Sequence, residues 1–502
     1  MTSAIDRLVT DSARLSADRR GTPAATYRIQ MHRGFPFQKV AEITDYLHAL
    51  GISHVYTSSL LTAKSCSNHG YDVTDHSRIN PEIGTEQEFS AWVAGLRERK
   101  MGVILDVVPN HMSVSGENAW WADVLEHGPS SPYARYFDIA WANHFRQQLH
   151  GKVLLPILGE SYGKAVDGGQ FRPVYAGGAV WIELNGRRLP TDPRTWDAVL
   201  APAVDGARAV TGQDTEGVLE LQSILTAVRN LPSRNETDPE KVVIRRAEVA
   251  VIKRRLAELD RRYPTAAEEI RKAVAVLAGV PGDPAGMTGL DQFLDAQAYR
   301  ACDWRVASDE INYRRFFDVN DLAALNTERP EVFEDVHRLI FEWLGRGLID
   351  GLRIDHIDGL YDPRQYLDRL QTKYLTSTAK RLLAERPDDY PGLTWAEAEP
   401  VVASQTVSGR PLFVVVEKIL TGDETAPEDW ATEGTSGYEF LNAVNGLFVD
   451  PAGETEITRI YEAFTGIDDS VDEIVYRKKF LVLQSSLTGE LHTLSHQLDS
   501  LA

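Results

Sequence analysis

Asp355 and Glu417 each stand where an apolar run stops, which is where a parallel sheet presents its reactive groups. Residues 351–355 read as a strand running into Arg353-Ile354-Asp355-His356, and residues 411–417 as one running into Val416-Glu417-Lys418. A third run, residues 103–108, carries Asp106 and continues through Pro109-Asn110-His111. Alternate residues of a strand share a face, so Arg353 and Asp355 point the same way. A neighbouring guanidinium favours the ionised carboxyl, which suits Asp355 as a nucleophile. Glu417 follows three valines, and an apolar setting raises a carboxyl pKa, which suits a proton donor. Two carboxyls with separated pKa values, about 5 Å apart, are the machinery of a retaining glycosidase. The competing reading of each residue alone is a structural ion pair at a strand end.

Sugar sites also need aromatic platforms for the apolar faces of the rings. Tyr71, in the loop His69-Gly70-Tyr71-Asp72, is one candidate; Trp120, Trp121, Phe316 and Phe317 are others, with core packing the competing role for these four. Other chemistries lack their patterns. There is no HExxH and no GxSxG. The run Gly159-Glu-Ser-Tyr-Gly163-Lys164-Ala165 is one residue short of a phosphate loop and lacks its magnesium-binding hydroxyl. Asp106, Asn110 and His111 read as hydrogen-bonding residues, and no metal is expected.

The elements that must position these groups alternate between strand and helix. Residues 26–30 and 52–56 are β-prone. Between them Val40, Ile43, Leu47 and Leu50 mark one helix face, which Gly51 closes. Phe89, Trp92, Val93 and Leu96 mark a second helix, with Gly102 as its end. Residues 103–108 are apolar on both faces, as in buried parallel sheets. The alternation then breaks for about 200 residues. That stretch holds a possible strand at 180–183 and a strong helix at 238–263, and ends in a turn-rich hinge at 281–286. The arginines and lysines of the long helix alternate with acids, so they read as a solvated face. The alternation resumes with helices opening at Pro330 and Pro363 around the strand 351–355, then the strand 411–417 and a sixth near 430–435. From Glu454 onward the pattern is helical.

The predicted fold is therefore α/β: a (β/α)₈ TIM barrel whose last strands are missing from this chain, with a large, mostly helical insertion after the third strand. The expected organisation is a first barrel part over 1–111, an insertion over 112–310, barrel again over 311–450, and a helical segment over 451–502.

Composition narrows the function classes. The chain has 502 residues with 53 basic and 73 acidic side chains, a net charge of −20. So acidic a surface disfavours nucleic acid and anionic membranes as partners. No apolar run is long enough to span a bilayer. Residues 1–20 are polar and charged and lack the apolar core of a secretory signal. Two distant cysteines, Cys66 and Cys302, form no disulfide framework, and the expected compartment is the cytoplasm.

In their order along the chain, Gly70-Tyr-Asp-Val-Thr-Asp75, Asp106-Val-Val-Pro-Asn-His111, Gly351-Leu-Arg-Ile-Asp-His-Ile-Asp-Gly359 and Val414-Val-Val-Glu-Lys418 resemble the conserved regions of the α-amylase superfamily of glycoside hydrolases. Four further segments resemble one branch of it: Tyr27-Arg-Ile-Gln-Met-His-Arg-Gly-Phe35, Arg78-Ile-Asn-Pro-Glu-Ile-Gly84, Glu310-Ile-Asn-Tyr-Arg-Arg-Phe-Phe-Asp318 and Gly434-Thr-Ser-Gly-Tyr438. That branch isomerises maltooligosaccharides, turning the reducing-end α-1,4 linkage into an α,α-1,1 linkage. The resemblance implies Asp355 as nucleophile, Glu417 as acid/base and Arg353 as the residue orienting Asp355. It implies sugar binding by Tyr71, Asp106, His111, His356 and Lys418, a maltooligosaccharide as substrate, and no cofactor. The insertion is the expected lid. The superfamily's third catalytic carboxylate, after the seventh strand, has no match after Glu417. Two explanations stand side by side: the C-terminal part is a separate chain of the same protein, which is then a partner, or it has been truncated. Two rivals remain: a hydrolase or transferase of the same superfamily acting on α-glucans, and a non-catalytic barrel used for interaction.

Overall fold

Five short strands form one parallel sheet: β1 (Thr26–Ile29), β2 (His54–Thr57), β3 (Gly102–Val107), β4 (Gly351–Ile354) and β5 (Phe413–Val416). Their order in the sheet is their order in the chain. This is the progression of a (β/α)₈ barrel around its axis. A sixth position begins at Thr435, which makes a parallel bridge to Val416. The computed structural model describes residues 3–19, 21–142, 147–213, 215–404, 410–422 and 424–501; Met1, Thr2 and Arg20 of the N-terminal stretch lie outside them.

The chain divides into two compact units: residues 1–113 with 325–474, and residues 114–324 with 475–502. The second unit thus takes in 311–324, which the sequence pattern assigned to the barrel, and the terminal helical stretch is divided at 474/475.

In the first unit, β3 and β4 are buried along their whole length, as the two-sided apolar pattern requires. Their register places Arg353 beside Asp106. Helices between and after the strands pack on the sheet, among them three long ones. Helix α1 (Glu86–Glu98) opens with a capping box between Thr85 and Glu88 and buries Phe89, Trp92, Val93 and Leu96. Helix α2 (Pro330–Arg346) starts with proline in its first turn and stops at Gly347, whose φ of +70° suits a residue without a side chain. Helix α3 (Pro363–Glu385) is capped by the Asp362 carboxylate, which accepts from Gln365 N. Leu, Ile, Val and aromatic side chains from all these elements make one continuous core.

Two expectations need correction. The helix through Val40 and Leu50 is two short ones, Phe37–Glu42 and Thr44–Ala49, broken at Ile43. Gly102 does not end α1; it opens β3. A Cβ there would stand 2.3 Å from His54 and 2.6 Å from Asp350, so the strand's entry admits only glycine. The last helices of this unit, Tyr438–Gly446 and Glu454–Thr465, bury no side chain.

The second unit combines four helices between Asp197 and Leu277 with an antiparallel sheet of Arg172–Ala176, Ala179–Leu184 and Arg187–Pro190 and a parallel pair of Val153–Leu158 with Tyr299–Asp303. Its longest helix, Pro239–Arg262, buries Val249, Ile252, Leu256 and Leu259 on one face and exposes most of its charges. The exception is Arg245, buried and paired with Asp192 at 2.6 Å. Trp121 is core, and Trp120 stacks on Tyr133. Phe316 and Phe317 also belong to this unit, so none of the four alternative platforms lies in the unit that holds Asp355 and Glu417.

Candidate active site

The strand ends bring Asp106, Arg353, Asp355 and Glu417 together. Arg353 Nη1 donates to Asp106 Oδ1 at 2.8 Å and to Asp355 Oδ1 at 2.6 Å. Its Nη2 lies 3.4 Å from Glu417 Oε1. One guanidinium therefore holds three carboxylates, which its planar fork does better than an ammonium would. The backbone sets this placement. Asp355 N donates to Val107 O and Glu417 N to Ile354 O, so each carboxylate leaves its strand one step beyond its neighbour.

Asp106 is almost wholly enclosed. Besides Arg353 it accepts from Tyr71 Oη at 2.7 Å and from Tyr56 Oη at 3.2 Å. Burial lifts its pKa, against the pull of Arg353, Tyr71 and Arg28. Tyr71 follows Gly70, whose φ of +78° and close approach to Ser59 O leave no room for a side chain. Burial and the Asp106 charge raise the phenol pKa of both Tyr71 and Tyr56, so both remain hydrogen-bond donors. His111 is buried, with Nδ1 3.4 Å from Asn110 Nδ2.

His356 adopts the left-handed conformation, φ +49°, directly after the strand-end carboxylate. That turn aims its N–H at Glu417 Oε2, 2.9 Å away. Its ring lies against Gly359, where a Cβ would come within 2.2 Å of it. Lys418 Nζ pairs with Glu424 at 2.9 Å and Asp358 at 3.3 Å, tying the segments after β4 and β5 together.

The order of acidities differs from the sequence expectation, and the reason is burial. Asp355 is only 6% exposed, and desolvation pushes its pKa up to about 7 despite Arg353, with Asp106 and Glu417 adding to the rise. Glu417 is half-buried. Burial pulls it upward, but the Arg353 charge, the His356 N–H and a hydrogen bond from Asp355 bring it below the usual carboxylate range. Of the two carboxyls, Asp355 therefore holds a proton more readily than Glu417. The three valines before Glu417 mislead because the charges and hydrogen bonds at its carboxyl outweigh the apolar run that precedes it.

Three residues of this constellation are absent from the sequence-based set. Arg28 and Tyr56 are paired in register on β1 and β2, and period-two alternation along those strands would have placed them on the inner face. Tyr438 Oη approaches Glu417 Oε1 at 3.4 Å; it is the last residue of a segment already distinctive in sequence. Among the described residues no group of three or more His, Cys, Asp or Glu side chains is arranged to hold a metal, and no helix is long and apolar enough to cross a membrane.

Parallel β/α units with carboxylates and an arginine gathered at the C-terminal strand ends are the arrangement of the reactive face of a (β/α)₈ barrel. Comparison with known proteins agrees. The family described as "Alpha amylase, catalytic domain" matches residues 36–164. A putative maltooligosyl trehalose synthase of Mycobacterium tuberculosis is 30% identical over 454 residues, covering 88% of this chain and 41% of its own. The solved maltooligosyltrehalose synthase of Arthrobacter ramosus superimposes with a TM-score of 0.64 at 29% identity, over 96% of this chain and 46% of that one. A hypothetical maltooligosyl trehalose synthase of Sulfolobus tokodaii gives 0.60 at 26% identity, over 95% and 46%. Residues 36–164 thus match the α-amylase catalytic domain, and the relatives matched over nearly all of this chain's length carry the name maltooligosyltrehalose synthase. The chain spans less than half the length of each.

Proposed function

We propose that this chain carries the nucleophile and the acid/base of an intramolecular transglucosylase that converts maltooligosaccharides into maltooligosyltrehaloses. The observation that carries the reading is the single guanidinium of Arg353 holding Asp355 and Glu417 at the ends of adjacent strands. The names of the relatives supply the substrate class. The activity belongs to the protein completed as its relatives are.

Asp355 attacks the anomeric carbon next to the reducing-end glucose while Glu417 protonates the glycosidic oxygen. Both need protonation opposite to that order. Arg353 pairs with both carboxyls, so the proton passes between near neighbours. A sugar ring that displaces water from Glu417 raises that carboxyl's pKa and drives the transfer. Arg353 then holds the ionised Asp355 in line. Tyr71 stacks on the glucosyl ring, with Asp106 and His111 binding its hydroxyls. The released glucose stays on the side of His356 and Lys418, turns over, and offers its anomeric hydroxyl. Glu417 takes that proton as base, and the new α,α-1,1 bond forms as the bond to Asp355 breaks.

The test is incubation with maltopentaose, coupled to intact mass under denaturing conditions. Loss of reducing ends without free glucose supports the reading. A second co-purifying polypeptide would carry the missing carboxylate. The half-exposed position of Glu417 favours one alternative: water replaces the turned glucose, the enzyme is a hydrolase, and free glucose appears with each turnover.

A further inference from the structure

Four groups converge on Arg28, a residue of β1 outside the catalytic set. Its Nη2 donates to Tyr71 Oη at 2.7 Å and to Gln30 Oε1 at 3.1 Å, and lies 3.6 Å from Asp106 Oδ2. The guanidinium carbon sits 4.6 Å over the centre of the Tyr56 ring, an attractive cation–π placement. Gln30, two residues on, donates through Nε2 to Asn68 O at 2.9 Å. Arg28 of β1 and Gln30, one residue beyond its end, thus both hold the loop that carries Tyr71. Arg28 Nη1 meanwhile is buried without a hydrogen-bond partner. A buried donor left unmatched is unfavourable, so the side chain is placed by what Nη2 and the Tyr56 ring demand.

The Tyr71 hydroxyl has one proton and gives it to Asp106. It must therefore be held by an incoming donor, and Arg28 is that donor. The result is a directed chain: Arg28 to Tyr71, Tyr71 to Asp106, with Arg353 donating to Asp106 from the opposite side and to Asp355 beyond. We infer that Arg28 is a positioning residue which fixes the Tyr71 ring as a platform for the glucosyl unit, by locking its hydroxyl and bracing residues 64–73 against β1. The sugar part of this inference rests on the proposed function; the lock itself is a property of the free chain.

The experiment compares Arg28→Met, Arg28→Lys, Tyr71→Phe and the Arg28→Met/Tyr71→Phe double variant in the full chain. Two quantities are read, amide exchange of residues 64–73 without ligand and affinity for maltopentaose. Thermal midpoints exclude global unfolding. Arg28→Met is expected to speed exchange in 64–73 and weaken binding about tenfold, with Arg28→Lys in between because an ammonium keeps the charge without the fork. In the Tyr71→Phe background Arg28→Met should weaken binding less than twofold further, since the hydroxyl it grips is gone. Additive losses, or exchange and affinity both unchanged in Arg28→Met, overturn the inference. If the unaltered chain binds no maltopentaose, the proposed function fails and loop exchange alone decides: faster exchange upholds the lock, unchanged exchange removes it. Binding followed by glucose release defeats the transglucosylase reading and leaves the lock standing.

Discussion

β4 and β5 end in the same way, an apolar run followed by a carboxylate, yet they hand their carboxylates to different surroundings. β4 is paired on both sides, by β3 and β5. Among the described residues β5 is paired along its length only with β4 and meets Thr435 in a single bridge. Asp355 is accordingly enclosed and titrates near 7, while Glu417 is half-exposed and titrates low. The helices repeat the contrast. Helix α2 buries Val332, Phe333, Val336, Ile340 and Trp343. Glu454–Thr465 carries Ile457, Ile460, Tyr461 and Phe464 at similar spacing and buries none of them. An amphipathic stripe or a strand-end acid fixes a direction; what lies in that direction is decided by other parts of the fold.

The contrast can be broken most forcefully at the carboxylates. Asp355→Asn and Glu417→Gln should each lower turnover of the completed enzyme by about 10²–10⁴-fold or more, measured as loss of reducing ends. A smaller loss at Glu417 would mean that the exposed carboxylate is not the acid/base. Next in size, Trp343→Ala should cost about 3–5 kcal/mol in denaturant unfolding, as expected of a fully buried ring. Phe464→Ala, at 89% exposure, should stay within about 0.5 kcal/mol. Equal costs would show that the terminal helix is covered after all.

A subtler probe is pH. The Asp355 pKa is raised on folding, so its contribution to stability is complete below the ordinary carboxylate pKa and is lost as pH rises through about 7. Asp355→Asn should therefore match the unaltered chain at low pH and exceed its thermal midpoint above pH 7. The smallest effect expected is on Glu417. Covering the open side of β5 with the part of the relatives that this chain lacks should exclude water and raise that carboxyl's pKa, moving the acidic limb of the pH–rate profile upward. An unmoved limb would assign the low acidity to Arg353 and His356 alone.

Much of the barrel was legible because its strands carry local signals. Residues 103–108 are apolar on both faces, and Pro330 and Gly347 bracket α2. The shared face of Arg353 and Asp355 followed from strand period alone. What sequence could not supply was depth. Nothing local distinguishes Glu417, on a strand with an open edge, from Asp355, on one enclosed between two others, and the acidity assignment inverted for that reason. Arg28 and Tyr56 were passed over because short strands with mixed faces give weak patterns. Gly102 looked like a helix terminator because glycine serves both ends of such a connection; only the nearness of His54 and Asp350 reveals which.

The pairing of Arg353 with Asp106 joins residues 247 positions apart, and this bears on the order of folding. Closing so long a loop in an unstructured chain is slow. The second unit, however, fastens its own ends: Val114 N donates to Asp321 O at 2.9 Å. Once it has formed, the gap between β3 and β4, residues 108–350, shrinks to a shorter effective tether. Early closure of the insertion would thus favour completion of the sheet. In pulse-labelled refolding Val114 should gain protection ahead of Asp355; simultaneous protection would mean that the sheet forms without waiting for it.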